Sequence, residues 1–406
     1  MSDTQKHTKP NVPNLRFPGF EGEWKESCIG AEFELYSGNT PSRLDKNNFT
    51  GDVCWVTSGE LKEHYIEDTK EKISQKAAHE NNLRLLPTGT FVIAIYGLEA
   101  EGVRGTGSII THEATISQAC MAFSSKGNVS NEFLYSWYKK HGDIIGVTYA
   151  QGTKQQNLSY DIIERLKVHY PSKIEQHKLT AFITLIDERI AIQNKVIEDL
   201  KKLKTALCTE LFSHGRTIST SFSEIGTYFS ADNLSKEELS DSGTECILYG
   251  ELFTTYGRVI TDVKSRTSRR INNATTLSQS NDLLFPASTT VDAISLISPS
   301  AIIKPGVILG GDMFGIRLSN KYNNQYMSNL LYYCYRFKLA SYAQGSTIIH
   351  LHYKDIEKIK ITVHPKENQD RIVAILALQD NRIANEQRIV NAYTNQKANL
   401  IRQMFI

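Results

Sequence analysis

Clusters of basic and amide side chains carry the most evident potential chemistry in this chain of 406 residues. Residues 264–270 (KSRTSRR) form its densest positive stretch. Lysine and arginine neutralise phosphate groups, and the arginine fork can also bond the edge of a guanine. Glutamine can contact adenine in a comparable two-pronged way. The stretch fits a nucleic-acid contact and a solvated surface loop equally well, so both interpretations stay open.

Twelve residues are our candidates for contacts with nucleic acid. In the first half of the chain they are Ser58, Lys62, Tyr96, Arg104, Lys154 and Gln155. In the second half they are Tyr256, Arg258, Lys264, Arg266, Arg269 and Arg270. The 46 lysine and arginine residues are balanced by 44 aspartate and glutamate residues, which leaves a net charge of +2. We therefore expect a local basic face rather than binding by bulk charge.

Active-site signatures are missing from the sequence. It contains no phosphate-binding G-x-x-x-x-G-K-[ST] loop, no G-x-S-x-G elbow and no H-E-x-x-H pair. The Asn/Asp-Pro-Pro-aromatic tetrapeptide of amino-methyltransferases is also missing. These absences favour a binding protein without catalytic residues over an enzyme. An enzyme using His350, His352 and Asp312 is an alternative, although histidines at this spacing also fit a strand that directs both to one side.

The cysteines show neither C-x-x-C spacing nor a nearby histidine, so the sequence predicts no metal site. We expect them to be reduced, mostly buried thiols in a cytoplasmic protein. They are Cys28, Cys54, Cys120, Cys208, Cys246 and Cys334. The strongest apolar run, residues 91–96 (FVIAIY), is far shorter than the ~20 residues of a membrane-spanning helix. No membrane partner is expected, and the polar residues 1–12 are expected to form a loose tail.

The sequence repeats itself at an offset of 193 residues. Residues 149–153 (YAQGT) return as 342–346 (YAQGS), and residues 185–191 (LIDERIA) return as 378–384 (LQDNRIA). Phe212 and Phe405 occupy matching positions near the ends of the two halves. Such self-similarity predicts a duplicated architecture in which each half closes with the same kind of segment.

The closing segments are predicted to be long helices. Their apolar residues recur in alternating steps of four and three, which is the spacing of a coiled-coil seam. In the first helix the seam consists of Leu179, Ile183, Ile186, Ile190, Ile197, Leu200, Leu207 and Leu211. In the second helix it consists of Ile372, Leu376, Ile383, Val390, Leu400 and Met404. We expect the two seams to pack on each other with polar breaks such as Lys204 and Lys397 fixing the register; packing of each helix on its own domain is the alternative.

The segments before each helix mix strand and helix patterns. Strands are predicted within residues 90–96, 114–123, 282–285 and 312–318, and shorter helices at 131–140, stopped by Gly142, and at 325–338. The chain is therefore expected to be an α+β protein. Two mixed α/β domains, related by a pseudo-twofold axis, would be joined by two long antiparallel coiled-coil helices. The expected boundaries are 1–170 and 214–364 for the domains and 171–213 and 365–406 for the helices.

From Pro13 onward the sequence resembles the DNA-specificity subunits of type I restriction–modification enzymes. The resemblance rests on residues 13–24 (PNLRFPGFEGEW) and 37–41 (SGNTP), on the two YAQG segments, and on the repeated helix motif that begins with Glu175 and Gln176. Each motif is loose on its own. Their order, duplication and helix register together make the resemblance specific.

This resemblance implies a non-catalytic subunit with two target-recognition domains. Each domain would read one half of an asymmetric, bipartite site in double-stranded DNA, and the helices would set the gap between the halves. Two methyltransferase subunits using S-adenosylmethionine would dock on the chain and methylate adenine, and two restriction–translocase subunits would use ATP and magnesium. The chain itself would bind no cofactor. The alternative is a protein-interaction scaffold that carries two β-rich modules on a coiled coil and binds no DNA.

Overall fold

The computed structural model describes residues 11–100, 102–152 and 155–406. The chain divides into two compact units, of which the first combines Met1–Asn194 with Arg388–Ile406 and the second is Lys195–Gln387. Each unit thus includes part of both long helices, whereas the boundaries expected from the sequence set the helices apart from the domains as segments of their own. Residues 1–10 of the expected tail lie outside the described residues. The carbonyl oxygen of Asn11 accepts a hydrogen bond from the Trp24 amide at 2.7 Å.

In the described part of the first unit, a five-stranded sheet has the order β2-β9-β6-β7-β4. Its β4–β7 pair is parallel and its other pairs are antiparallel. A three-stranded sheet has the order β5-β3-β8, and β1 pairs with β10. The strands are β1 (Lys25–Cys28), β2 (Phe33–Ser37), β3 (Val53–Val56), β4 (Tyr65–Ile66), β5 (Lys72–Ile73), β6 (Phe91–Ala94), β7 (Gly107–Ile110), β8 (Thr115–Ile116), β9 (Cys120–Ser125) and β10 (Lys167–Tyr170). The helices are α1 (Ile29–Glu32), α2 (Gln75–Glu80), α3 (Asn131–Tyr149), α4 (Tyr160–Arg165) and α5 (Lys173–Ser213).

The described residues of the second unit repeat this arrangement. Its five-stranded sheet has the order β12-β20-β16-β18-β14 and its three-stranded sheet the order β15-β13-β19. The strands are β11 (Ile218–Ser221), β12 (Gly226–Ser230), β13 (Leu239–Leu248), β14 (Val259–Ile260), β15 (Ser265–Thr267), β16 (Asp282–Pro286), β17 (Ser288–Thr289), β18 (Ser300–Ile302), β19 (Ile308–Gly310), β20 (Met313–Leu318), β21 (Ile349–His350) and β22 (Lys360–Val363). The helices are α6 (Phe222–Ile225), α7 (Glu251–Thr254), α8 (Ala293–Leu296), α9 (Asn324–Cys334), α10 (Arg336–Ala340), α11 (Tyr353–Ile356) and α12 (Lys366–Met404).

The duplication is confirmed by the positions of these elements. Strands β11, β12, β20 and β22 begin 193 residues after β1, β2, β9 and β10, and α12 begins 193 residues after α5. Both units also close on a phenylalanine. Phe405 packs against Phe133 in the first unit, and Phe212 packs against Tyr326 in the second.

The long helices are confirmed, and they run antiparallel within each unit. In the first unit, Leu179 and Ile183 near the start of α5 share a core with Ile401 and Met404 at the end of α12. In the second unit, Cys208 and Phe212 near the end of α5 share a core with residues 372 and 376 at the start of α12. The spacing of apolar residues predicted these buried faces because a helix brings every third and fourth residue to one side.

The predicted strands are present, whereas two helix predictions are wrong in detail. Helix α3 continues through Gly142 to Tyr149. Gly142 is not a stop signal: a Cβ atom there would lie 2.9 Å from the Cα of Gly105, so glycine permits a close chain approach. The single helix predicted at 325–338 is two helices, α9 and α10, separated at Tyr335.

The start of α5 is anchored to the segment 13–24. The Glu175 amide donates to the Ser172 hydroxyl at 3.4 Å, as in a capping box. The buried Glu175 carboxylate instead accepts two hydrogen bonds from Arg16, at 2.7 and 2.8 Å. The capping box is therefore half formed, because the Glu175 carboxylate that would complete it accepts the charge-assisted hydrogen bonds of Arg16.

Candidate functional site

A groove of about 1290 Å³ opens in the first unit between the chain segment 59–70 and helices α3, α5 and α12. Both basic and acidic side chains line its walls. The basic ones are Lys62, Lys70, Lys139, Lys140, Lys397 and Arg402, and the acidic ones are Glu60, Glu63, Glu67, Asp68, Asp187 and Glu188. Because the charges balance, the groove as a whole does not form a phosphate-attracting positive surface.

His64 forms the centre of a charged cluster in the wall of this groove. Its ring lies between those of Tyr65 and Tyr135, with centroids 4.0 and 3.9 Å away and nearly parallel planes. Its Nδ1 lies 3.0 Å from Asp187 Oδ2, and its Nε2 lies 3.0 Å from Glu132 Oε2. The imidazole thus connects a loop of the sheet region to helices α3 and α5.

Burial and the neighbouring charged groups shift the pKa values of His64 and Asp187 in opposite directions. Burial lowers the pKa of His64, but hydrogen bonds with Asp187 and Glu132 outweigh it, so the pKa is raised. Burial raises the pKa of Asp187, but His64 and Lys397 outweigh it and lower the pKa. Lys397 Nζ lies 2.5 Å from Asp187 Oδ1. Burial, followed by repulsion from Lys397, lowers the pKa of Lys139 to about 8.

Most of this cluster was not among the site residues predicted from the sequence. Asp187 belongs to the repeated segment 185–191, and Lys397 interrupts the apolar seam of α12, so both positions carried a signal. His64 and Glu132 carried none, because 68 residues separate them and their contact depends on the tertiary fold.

The first unit's candidate nucleic-acid residues occupy two places. Ser58 is half-buried in a short turn, and Lys62 is exposed in the groove. Tyr96 is exposed two residues after the end of β6, and Gln155 is exposed. Arg104 is half-buried, and its guanidinium donates to the Gln156 side chain at 3.3 Å. Lys154 lies outside the described residues.

The basic stretch 264–270 of the second unit is partly an edge strand and partly paired. Residues 265–267 form β15, which pairs with β13. Arg269 makes contacts of 2.7–2.9 Å with Glu238, and Arg266 lies 3.5 Å from Glu245. Lys264 and Arg270 are exposed. Half of the four cationic groups in this stretch are thus partly neutralised within the chain, while Lys264 and Arg270 face solvent.

Tyr256 and Arg258 make contacts inside the second unit. The Tyr256 hydroxyl accepts a hydrogen bond from the Lys264 amide at 3.0 Å and so anchors the start of the basic stretch. Arg258 lies 4.1 Å from the centroid of the Tyr332 ring and donates to Ser298 Oγ at 2.7 Å. Burial lowers the pKa of Arg258 to about 10. These contacts direct the guanidinium of Arg258 into the unit.

The fourteen predicted seam residues are all buried or half-buried. Two of the polar breaks between them are ion pairs that join α5 to α12. Lys204 Nζ lies 2.6 Å from Asp380 Oδ1 in the second unit, as Lys397 does from Asp187 in the first. Each residue of one pair is 193 positions from its counterpart in the other, so the duplication reproduces the interaction.

Comparison with known proteins gives consistent matches. The model of a protein family described as the type I restriction modification DNA specificity domain matches residues 21–202 and 222–393. The chain is 27% identical over 199 residues to the type I restriction enzyme MjaIX specificity subunit of Methanocaldococcus jannaschii. That match covers 47% of this chain and 44% of the relative, which is therefore matched over less than half of its length.

Two solved structures share the fold. A crystal structure of a type I restriction–modification system S subunit from M. genitalium has a TM-score of 0.55 at 17% identity, covering 97% of this chain and 99% of that chain. A chain from a structure on the assembly and conformational transition of the type I R-M system has a TM-score of 0.59 at 14% identity, covering 95% and 97%. Among the described residues, no helix is long and apolar enough to cross a membrane.

Proposed function

Because the chain belongs to the family of type I restriction modification DNA specificity domains, we propose that it selects the DNA sequence on which a type I restriction–modification complex acts. The observation that carries the proposal is the duplicated topology. Each unit has the same five-stranded and three-stranded sheets, closed by the same helix ends. Two copies of one frame suit two readers, each of which binds one half of a bipartite site.

The two half-sites should differ because the surfaces on the shared frame differ. The basic stretch 264–270 (KSRTSRR) of the second unit corresponds to residues 70–76 (KEKISQK) of the first, because Lys72 and Ile73 pair with β3 as Arg266 and Thr267 pair with β13. The first sequence has four cationic side chains and the second has three together with a carboxylate. Chemically different side chains at matching positions favour an asymmetric site over a palindrome.

The chain acts in this proposal through partners rather than through chemistry of its own. Specificity subunits of this family are non-catalytic. We assign adenine methylation to two methyltransferase subunits using S-adenosylmethionine, and cleavage to two restriction–translocase subunits using ATP and magnesium, all in the cytoplasm. His350 Nδ1 does lie 3.7 Å from Asp312, and the His350 and His352 rings are parallel at 5.9 Å. The family assignment nevertheless sets aside the enzyme alternative based on these residues.

A methylome tests the proposal directly. The chain and its cognate methyltransferase subunit are expressed together in a host that lacks DNA methylation. We expect adenine methylation at one split, asymmetric motif, with no such mark when either protein is expressed alone. A stable complex of the two proteins that leaves the DNA unmethylated would contradict the proposal and favour the scaffold alternative.

A further inference from the structure

Three side chains with metal-ligand chemistry converge in the first unit. A sulfur, a carboxylate oxygen and a ring nitrogen, from Cys54, Asp68 and His112, all lie within 4.8 Å of one another. We propose that these residues bind one divalent metal ion of the zinc class. No metal site is expected from the sequence, because its cysteines show neither C-x-x-C spacing nor a nearby histidine; Cys54, Asp68 and His112 are separated by 14 and 44 positions.

Strand pairing explains why these residues meet. Strands β4 and β7 are parallel, and Ile66 pairs with Ile110. Asp68 follows Ile66 by two residues, and His112 follows Ile110 by two residues. Both therefore lie just beyond the carboxyl ends of these two neighbouring strands. Cys54 lies in β3, and its Sγ is 3.8 Å from Asp68 Oδ1. The fold therefore assembles the site from three separate chain segments.

The backbone around Asp68 is held in place by neighbouring hydrogen bonds. The hydroxyl of Thr69 accepts from the Trp55 amide at 3.3 Å and donates to the Glu71 carbonyl at 2.8 Å. The Thr69 amide donates to Asp68 Oδ1 at 2.9 Å. These bonds fix the carboxylate beside Cys54, so metal binding needs little ordering of the chain.

The hydrogen bonds of His112 suit a metal ligand. The Thr111 hydroxyl donates to the Ile66 carbonyl at 2.8 Å and lies 3.4 Å from His112 Nδ1. Since its hydrogen is directed at Ile66, this hydroxyl can accept a hydrogen bond from Nδ1–H. The Nε2 atom then carries the lone pair. A metal-binding histidine typically donates its other N–H in this way.

The ligand set and its geometry select the metal class. Zinc binds thiolate sulfur at about 2.3 Å and histidine nitrogen at about 2.0 Å, in tetrahedral geometry. A sulfur ligand and an oxygen ligand of one tetrahedral zinc ion are roughly 3.5 Å apart. This distance is close to the 3.8 Å between Cys54 Sγ and Asp68 Oδ1. Three protein ligands leave one position for water. Magnesium and calcium, which prefer oxygen ligands, fit poorly beside a thiolate.

The ammonium group of Lys72 would compete with a metal ion for the carboxylate of Asp68. Lys72 pairs directly with Cys54 across β3 and β5, and its Nζ lies 3.0 Å from Asp68 Oδ1. A bound ion would take over the neutralisation of Asp68 and displace this ammonium group. The site is specific to the first unit: in the second unit Asp262 and Lys304 follow two residues after the paired Ile260 and Ile302, and Lys304 Nζ lies 2.7 Å from Glu245, so a lysine takes the place of His112.

The test is a cobalt titration of the full-length chain in which the exposed Cys28 and Cys334 are replaced by serine. Cobalt reports thiolate coordination through a charge-transfer band in the near ultraviolet. We expect a saturable band at one cobalt per chain that zinc abolishes. Cys54→Ser should remove the band, and His112→Ala should weaken cobalt binding at least about tenfold. Lys72→Ala should strengthen binding several-fold.

The matched control is His79→Ala, which removes an exposed histidine of the same unit and should leave the titration unchanged. Circular dichroism establishes that each variant is folded. If Cys54→Ser is unfolded, the cobalt affinity of His112→Ala relative to the parent chain tests the proposal instead. No thiolate band with the parent chain, a band that persists in folded Cys54→Ser, or equal affinity of parent and His112→Ala would overturn the proposal.

Discussion

His64 is charged or neutral according to the balance between burial and its two carboxylate partners. Its pKa is raised because Asp187 and Glu132 outweigh burial. Because the pKa of His64 is higher in the folded chain than in the unfolded chain, protonation of His64 stabilises the fold. This stabilisation is complete below the unfolded pKa of about 6.5 and is lost as the pH rises through the folded pKa. The pKa of Asp187 is shifted in the opposite direction. It is lowered in the folded chain, so the stability that the ionised carboxylate contributes is lost as the pH falls through its folded pKa.

We therefore expect His64→Gln to destabilise the chain more at about pH 6 than at about pH 9. The measurement is the difference in melting temperature between parent and variant across this range. His79→Gln, which changes an exposed histidine of the same unit, is the control and should show no such trend. A difference that does not change with pH would mean that His64 is neutral in the folded chain.

Lys264 and Arg270 are exposed and, in the part of the chain that the structure describes, have no carboxylate partner such as those of Arg266 and Arg269, so DNA binding should depend on them most strongly. In the complex with the methyltransferase subunit, Lys264→Ala with Arg270→Ala should reduce the slope of log affinity against log salt by about 2, or about 1 for each lost phosphate contact. Lys321→Ala removes an exposed lysine elsewhere in the second unit and serves as the control. An unchanged slope in the double variant would remove the stretch from the DNA footprint.

The sequence located this basic stretch but could not show which of its cations are paired. Arg269 binds Glu238, which lies 31 residues earlier. Arg266 meets Glu245 because β15 pairs with β13 in a register that places these residues opposite each other. Such partners are set by strand register, which one sequence without a recognisable turn between the strands does not determine.

Helices α5 and α12 were the most predictable elements, because alternating steps of four and three residues have one structural solution over such lengths. Their polar breaks were harder to interpret. Lys204 and Lys397 occupy seam positions, yet each reaches an aspartate on the other helix. A one-residue slip would separate both pairs, so we infer that they specify the antiparallel register.

The pair in the second unit allows a double-mutant cycle. Lys204 is largely buried at 9% side-chain exposure, whereas Asp380 is half-exposed, which screens part of the interaction. We expect a coupling energy of about 1 kcal/mol between Lys204→Met and Asp380→Asn in urea unfolding. The exposed pair of Lys202 and Glu198 within α5 is the control and should couple more weakly. Equal coupling in both cycles would contradict a register role for Lys204.

At the scale of the molecule, the duplication was visible in the sequence because the closing helices kept matching motifs. The sheet order was not visible, since strands such as β6 and β9 pair across intervening segments and any order would fit their apolar patterns. The contribution of the chain's last residues to the first unit was also hidden. The Ile406 carbonyl accepts a hydrogen bond from the Trp137 indole at 3.0 Å, and Phe405 is fully buried.

These end contacts determine how a domain exchange should be built. Replacing residues 1–170 with those of another family member should change one half-site and leave the other intact, because the second unit has its own core. The replacement should keep aromatic residues at positions 133 and 137, since Phe405 and Ile406 pack there. The readout is the methylated motif, and exchange of residues 214–364 is the reciprocal control. If a folded chimera with the first exchange altered both half-sites, the units would not read DNA independently.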